Sequence, residues 1–524
     1  MFSSVTSGAA RGVSPYLMQV EVDVSEGLPG FNMVGFMSGE VKEAAERVKV
    51  ALKNAGSRLP VAKITVNLSP VAIRKSGVVI DLPVAVGILA ATGEIRKDSL
   101  DGTMILGELS LDGEVKGVRG VLPIVKKAAE CGFKRVILPE ENATEGAVTG
   151  GIKVIGVKSL QEALLYLNAP DDEKDSLIEP TVVDLEKLFS SEESFEGDGD
   201  FSDISGQAAV KRAVEIAAAG FHHLLVIGPP GAGKSMVAKR MPTILPPLSP
   251  EESLDVTTIY SVAGALPEGV SLLRQRPFVS AHHTITESAL VGGGNTPRPG
   301  LISLAHRGVL FLDEMPEFPR ARLDLLRQPM EDRRVHIVRS KGTYTFPSDF
   351  QLIGAMNPCP CGYYPDRNRC RCTAGEIKRY LGHISGPILD RVDICVEAPR
   401  VEIGDLSNRG KRALESSAAI RKRVMAVRDI QKERFKGRNI RFNSEMSPRD
   451  IEEFCRLGKD EELFLENAFV KMDLSARAYH KVLRVARTIA DIDGTRDIGR
   501  IHLIEALGYR GIDGKYWNNT EEQI

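Results

Sequence analysis

Short apolar runs that end abruptly in glycine, carboxylate or amide residues punctuate the middle of this chain. Leu224-Leu225-Val226-Ile227 runs into Gly228, Val309-Leu310-Phe311-Leu312 into Asp313-Glu314, and Phe350 to Met356 into Asn357. Runs that are apolar on both faces predict strands buried within a parallel sheet. Helical stretches between them predict a parallel α/β layer over about residues 201–400. The N-terminal part reads differently. Gln19 to Val24 and Lys63 to Leu68 alternate apolar with polar residues and predict half-buried strands, while Val41 to Asn54, Pro83 to Ala91 and Pro123 to Cys131 carry helical spacing. From about 411 onward the pattern is helical, with a loop near Arg438 to Pro448.

Charge supplies the boundaries. Between Asp171 and Asp200 stand twelve carboxylates and two lysines, a composition that predicts a solvated linker. The expected organisation is thus an N-terminal α+β unit over 1–168, an acidic linker over 169–200, an α/β unit over 201–400 and a helical unit over 401–524. A chain of 524 residues has room for several such cores. Its net charge of −2 means that any nucleic-acid contact must come from local basic surface. Met1 to Ala10 lacks the basic and apolar regions of a signal peptide, and the longest apolar run, Gly77 to Thr92, carries Asp81 and Pro83. The expectation is a cytoplasmic protein with no membrane partner.

Gly228-Pro229-Pro230-Gly231-Ala232-Gly233-Lys234-Ser235 lies between a predicted strand and a predicted helix, the context in which this spacing binds phosphate. Glycines let backbone N–H groups close around a phosphate, and the helix N-terminus adds positive potential. Lys234 would reach the β- and γ-phosphates of ATP, and Ser235 would hold Mg²⁺. Asp313 and Glu314 end a second strand at the same sheet edge, where Asp313 would hold the Mg²⁺ and Glu314 would act as general base toward water. Asn357 is placed either to orient that water or as a plain strand-to-loop residue. Arg391, within Gly386-Pro387-Ile388-Leu389-Asp390-Arg391-Val392-Asp393, suits transferred phosphoryl charge, or else is a salt-bridged surface residue.

Four of the seven cysteines crowd into Cys359, Cys361, Cys370 and Cys372. Four thiolates this close can surround one Zn²⁺; the alternative is a loop of unliganded thiols. The adjacent His282 and His283 are expected to point apart and to serve a loop role.

The order of these motifs resembles an AAA+ ATPase of the magnesium-chelatase-like branch. That resemblance implies ATP and Mg²⁺ at the glycine loop, with Ile204, in Asp203-Ile204-Ser205-Gly206-Gln207, packing on the adenine. It also implies an arginine finger at Arg391, a second-sensor arginine at Arg477 on a helical lid, and a ring of usually six copies. Gly107 to Val115, Val118 to Pro123 and Val136 to Asn142 resemble the proteolytic domain of Lon-type proteases. The positions matched to the Lon serine and lysine fall at Pro83 and Leu122, which cannot perform that chemistry.

Across nearly the whole chain the sequence resembles the ComM/YifB family. The resemblance implies a ring-shaped motor that moves on DNA and promotes branch migration during natural transformation. Candidate DNA contacts are the loop Val291 to Asn295 and the basic residues Arg333, Arg334, Arg339 and Lys341, whose alternative reading is a solvated hairpin face. The family's Arg-x-Pro-His-His is here Val279-Ser280-Ala281-His282-His283. Rival functions are a magnesium-chelatase motor subunit, an ATP-dependent protease, and a protein-remodelling ring.

Overall fold

A computed structural model describes residues 1–35, 39–57, 59–70, 79–190, 199–339, 342–400 and 415–518. Two sheets organise it. In the first, seven strands lie in the order Gly30–Val34, Lys63–Ser69, Ser14–Ser25, Phe2–Arg11, Thr103–Ile105, Arg135–Pro139, Lys153–Val157. Ser14–Ser25 runs antiparallel to both its neighbours, and the other pairings are parallel. The helix Asp81–Thr92 is buried over nearly its whole length against this sheet. It sits so close that a Cβ on Gly87 would stand 2.7 Å from Val22. Burying Asp81 is possible because Arg47 Nε and Nη2 donate to its carboxylate at 2.8 and 3.1 Å.

Phe2–Arg11 was not expected as a strand. Apart from Val5, its buried positions are small or hydroxylated, and Ser3 Oγ donates to the Gly87 carbonyl at 2.6 Å. Small side chains let the helix approach here, so the usual apolar signal is missing.

The second sheet is wholly parallel, in the order Phe278–Ala281, Val309–Leu312, Gln351–Met356, Leu224–Ile227, Ile394–Glu397. Behind it stand the helices Ser417–Arg434, Ala476–Ile492 and Arg500–Asp513. No helix among the described residues is long and apolar enough to cross a membrane.

The acidic stretch needs a correction. Residues 191–198 lie outside the described residues, but Lys174–Leu177 and Leu185–Ser190 are short helices, and Thr181 bridges to Val154 of the first sheet. Val183, Leu185, Leu188 and Phe189 pack with Leu122, Val148, Leu254 and Leu272, so this stretch seals the junction of the two sheets rather than floating in solvent. Its few apolar residues outweigh a composition dominated by carboxylates. At the same junction the buried Glu145 accepts from Leu122 N at 3.0 Å and from Ser261 Oγ, and Gly120 N donates to the Ser261 carbonyl at 3.2 Å.

Candidate ATP site and basic inter-helix cavity

The glycine loop leaves the strand Leu224–Ile227 and enters the helix Lys234–Arg240. Gly231 and Gly233 hold φ of +77° and +82°, left-handed conformations that side chains disfavour. Gly228 is packed so tightly that a Cβ would stand 2.4 Å from the Ala398 carbonyl oxygen of the neighbouring strand's exit. Lys234 Nζ donates to the carbonyls of Gly228 and Pro229 at 2.7 and 3.0 Å and to Asn357 Oδ1 at 3.0 Å. Three oxygens match the three donors of an ammonium. Burial lowers the Lys234 pKa, against the pull of Asp313 and Glu314.

Asp313 and Glu314 follow directly on Val309–Leu312. Ser235 Oγ donates to Asp313 Oδ2 at 2.7 Å, which places a hydroxyl and a carboxylate side by side in the manner a hard cation requires. Glu314 is exposed and holds φ of +50°, an uncommon backbone state for a residue with a side chain. Asn357 stands one residue beyond Gln351–Met356. Glycine loop, carboxylate pair and amide thus meet at one end of three adjacent parallel strands. Ile204 is buried in the same core cluster as Ala232 and Val237. Gln207, which sequence reasoning did not single out, donates from Nε2 to the carbonyls of Ala232 and Pro399 at 3.1 and 2.6 Å and holds the loop from behind.

Arg391 and Arg477 are brought together elsewhere. Both line a cavity of about 290 Å³ with Glu331, His480, Lys481 and Arg484, and no residue of Gly228–Ser235 borders it. Positions 477, 480, 481 and 484 lie on one face of the helix Ala476–Ile492. Arg391 Nη2 pairs with Glu331 Oε1 at 2.5 Å, and Nη1 donates to the Pro387 carbonyl at 2.6 Å. The chain beside Arg391 is clamped: Lys481 Nζ and Arg510 Nη1 each donate to the Val392 carbonyl at 2.9 Å. Asp393 accepts from His223 N at 3.0 Å and pairs with Lys481 Nζ at 3.3 Å. Burial would raise the Asp393 carboxyl, but Lys481 and His222 hold it well below the ordinary carboxylate range.

Cys359, Cys361, Cys370 and Cys372 converge, with all four sulfurs within 4.8 Å of one another. Cys359 to Cys361 and Cys370 is 3.4 and 3.7 Å, and Cys361 to Cys370 is 3.6 Å. A tetrahedral site with bonds of about 2.3 Å has sulfur separations of about 3.8 Å, so the cluster fits a zinc-sized ion. His282 and His283 do not point apart: a turn after Phe278–Ala281 brings their rings to 4.0 Å.

The basic candidates divide. Arg334–Arg339 and Gly342–Pro347 form an antiparallel hairpin, and Arg334 and Arg339 are exposed on it. Arg339 reaches beside the small hairpin Gly292–Gly293 and Arg298–Pro299, where a Cβ on Gly293 would meet its Nη2 at 3.3 Å. Arg333 differs from Arg334 and Arg339: its left-handed backbone turns the half-exposed side chain toward Glu445 at 2.9 Å and Asp349 at 3.7 Å. These ion pairs connect the hairpin to Glu445 of the helical part. Lys341 lies outside the described residues. In the first sheet's layer, Pro83 and Leu122 are fully buried, as is Val84 beside Pro83.

Comparison with known proteins accords with this architecture. Residues 200–406 match the family described as magnesium chelatase, subunit ChlI; residues 20–142 match subunit ChlI of Mg-chelatase; and residues 414–510 match the ChlI C-terminal family. The chain is 42% identical over 509 residues to competence protein ComM of Haemophilus influenzae, covering 97% of each chain. It is 42% identical over 512 residues to YifB of Escherichia coli, covering 98% of this chain and 97% of that one. Lon protease 2 of Bacillus subtilis is 35% identical over 144 residues, 26% of this chain and 25% of the protease. The chain belongs to the ComM/YifB family and is an ATPase of the magnesium-chelatase-like AAA+ type, with a Lon-like N-terminal part and a helical C-terminal part.

Proposed function

We propose that the chain assembles into a ring, with six copies expected, and couples ATP hydrolysis to movement along DNA in the cytoplasm. Branch migration or unwinding during natural transformation or recombination is its output. The observation that carries this reading is the end-to-end likeness to a competence protein, together with the converged set Lys234, Ser235, Asp313, Glu314 and Asn357.

In this reading Gly228 to Ser235 bind the triphosphate and Ile204 lies toward the adenine. Lys234 exchanges its loop carbonyls for the β- and γ-phosphate oxygens. Ser235 and Asp313 hold Mg²⁺, which supplies charge neutralisation on the phosphates. Glu314 takes a proton from the attacking water, and Asn357 fixes its orientation. Arg391 and Arg477 line a cavity that no residue of their own glycine loop borders, which supports a role for both in completing the site of the next copy. Arg334, Arg339 and the loop Val291 to Asn295 are the DNA contacts. Cys359, Cys361, Cys370 and Cys372 hold a structural Zn²⁺. With Pro83 and Leu122 at the matched positions, the Lon-like part is proteolytically inactive and serves assembly.

The test is displacement of a strand from branched DNA, with Glu314→Gln as control. ATP-dependent displacement by the wild type and its loss in Glu314→Gln are expected. Hydrolysis without any strand movement would leave an ATPase whose work is done on something other than DNA.

A further inference from the structure

The cysteine loop is packed directly on the glycine loop. Gly362 has φ of +82°, and a Cβ there would stand 2.4 and 2.8 Å from Cδ and Cγ of Pro230. Only a residue without a side chain permits that approach. Asn357, which accepts from Lys234 Nζ at 3.0 Å, is two residues ahead of the fully buried Cys359. Tyr364 N donates to Cys359 Sγ at 3.4 Å, and its ring meets Tyr516 edge-on at 6.2 Å. Tyr516 in turn donates its hydroxyl to Glu397 Oε1 at 2.7 Å, one residue before the Ala398 carbonyl that crowds Gly228. The cysteine loop therefore touches the glycine loop at Pro230, and a chain of contacts through Tyr364, Tyr516 and Glu397 leads from it to the neighbour of Gly228.

We propose that a zinc ion held by Cys359, Cys361, Cys370 and Cys372 positions the ATP site, with Asn357 and Pro230 as the points of contact, so that turnover depends on metal occupancy. This rests on the readings of Gly228–Ser235 as the ATP site and of the four thiols as zinc ligands. A metal cross-link replaces the conformational freedom of the loop from Cys359 to Cys372 with one geometry. Loss of the metal releases the Gly362–Pro230 contact and the Asn357 backbone. The remaining phosphate-binding groups, Lys234 and the loop N–H groups, lie outside the cysteine loop. Metal loss therefore affects kcat more than nucleotide affinity.

The experiment uses the full chain under reducing conditions. Metal content is measured, metal is removed with a chelator, and Zn²⁺ or Cd²⁺ is added back. ATPase kcat, the Kd of a fluorescent ADP analogue, and amide exchange over 229–231 and 357–363 are followed in parallel. The expected result is one zinc per chain. On its removal kcat should fall at least about tenfold, Kd should change less than about threefold, exchange should rise in both segments, and metal should restore all three. Gly362→Val, which keeps all four thiols, should retain zinc yet lose kcat. A chain that hydrolyses ATP equally well with and without zinc, or that binds none, overturns the coupling and leaves the ATPase reading standing. A zinc-loaded chain that hydrolyses no ATP overturns both. A metal-free chain that loses kcat and ADP binding together with its folded circular-dichroism signal also overturns the coupling, by reducing the metal to a folding requirement.

Discussion

Replacing Lys481 by methionine tests the clamp that fixes Arg391. Lys481 and Asp393 are both nearly buried, with Nζ 3.3 Å from Oδ1, and Lys481 also donates to the Val392 carbonyl. At an effective dielectric of about 20, two unit charges at this separation attract by about 5 kcal/mol. Desolvation offsets much of that: burial pulls the Lys481 ammonium down while Asp393 stays firmly ionised, so the lysine bears the larger penalty. Removing only the lysine leaves a buried carboxylate facing His222 and the His223 N–H, and such truncations cost about 3–5 kcal/mol. Lys481→Met should therefore destabilise the ATPase part by about 3 kcal/mol in urea unfolding. Adding Asp393→Asn should recover at least about 1 kcal/mol of that loss, a coupling readable from the double-mutant cycle. ATPase activity should fall in Lys481→Met, because Arg391 is carried by the loosened segment. A single-mutant loss below about 0.5 kcal/mol with no coupling would refute the clamp.

Other outcomes follow from the same geometry. Arg391→Ala should reduce ATPase kcat by at least about a hundredfold while nucleotide Kd changes little, and, in the proposed ring where one copy's arginine serves another's ATP, doping it into wild type should depress activity more than dilution does. His306 is buried, its Nδ1 accepts from Asp349 N at 3.0 Å, and burial with nearby arginines lowers its pKa to about 3. The unfolded chain binds that proton near pH 6.5, so acidification from pH 6.5 toward 3 should destabilise the fold by up to about 1.4 kcal/mol per pH unit, and His306→Asn should flatten this slope in urea midpoints. Glu145→Ala removes the acceptor for Leu122 N and Ser261 Oγ and should cost about 1–3 kcal/mol, seen as faster proteolysis at the junction of the two sheets.

What could be read from sequence was local chemistry. The glycine loop, Asp313-Glu314 and Asn357 each follow a buried strand directly, so motif and geometry coincide. The cysteines are close in sequence and meet for the same reason. Features made by long-range approach were hidden. The convergence of Arg391 and Arg477 depends on how the helix Ala476–Ile492 docks, and the clamp of His223, Asp393, Lys481 and Arg510 joins four separate segments. The strand Phe2–Arg11 lacked an apolar signal because close helix packing requires small residues there. In the acidic stretch a few apolar side chains, Val183, Leu185, Leu188 and Phe189, outweighed the carboxylates around them. The ion pairs of Arg333 with Glu445 and Asp349 were hidden too, because a basic run shows charge but not the turn that aims one of its side chains.

The most direct test measures ATP hydrolysis by the full chain with and without single-stranded or branched DNA, alongside strand displacement in the same reactions. The account predicts that DNA stimulates hydrolysis, that displacement tracks it, that Glu314→Gln abolishes both, and that Arg334→Ala plus Arg339→Ala removes the stimulation while leaving basal hydrolysis intact. Vigorous hydrolysis that is indifferent to DNA, with no strand displaced, would contradict it.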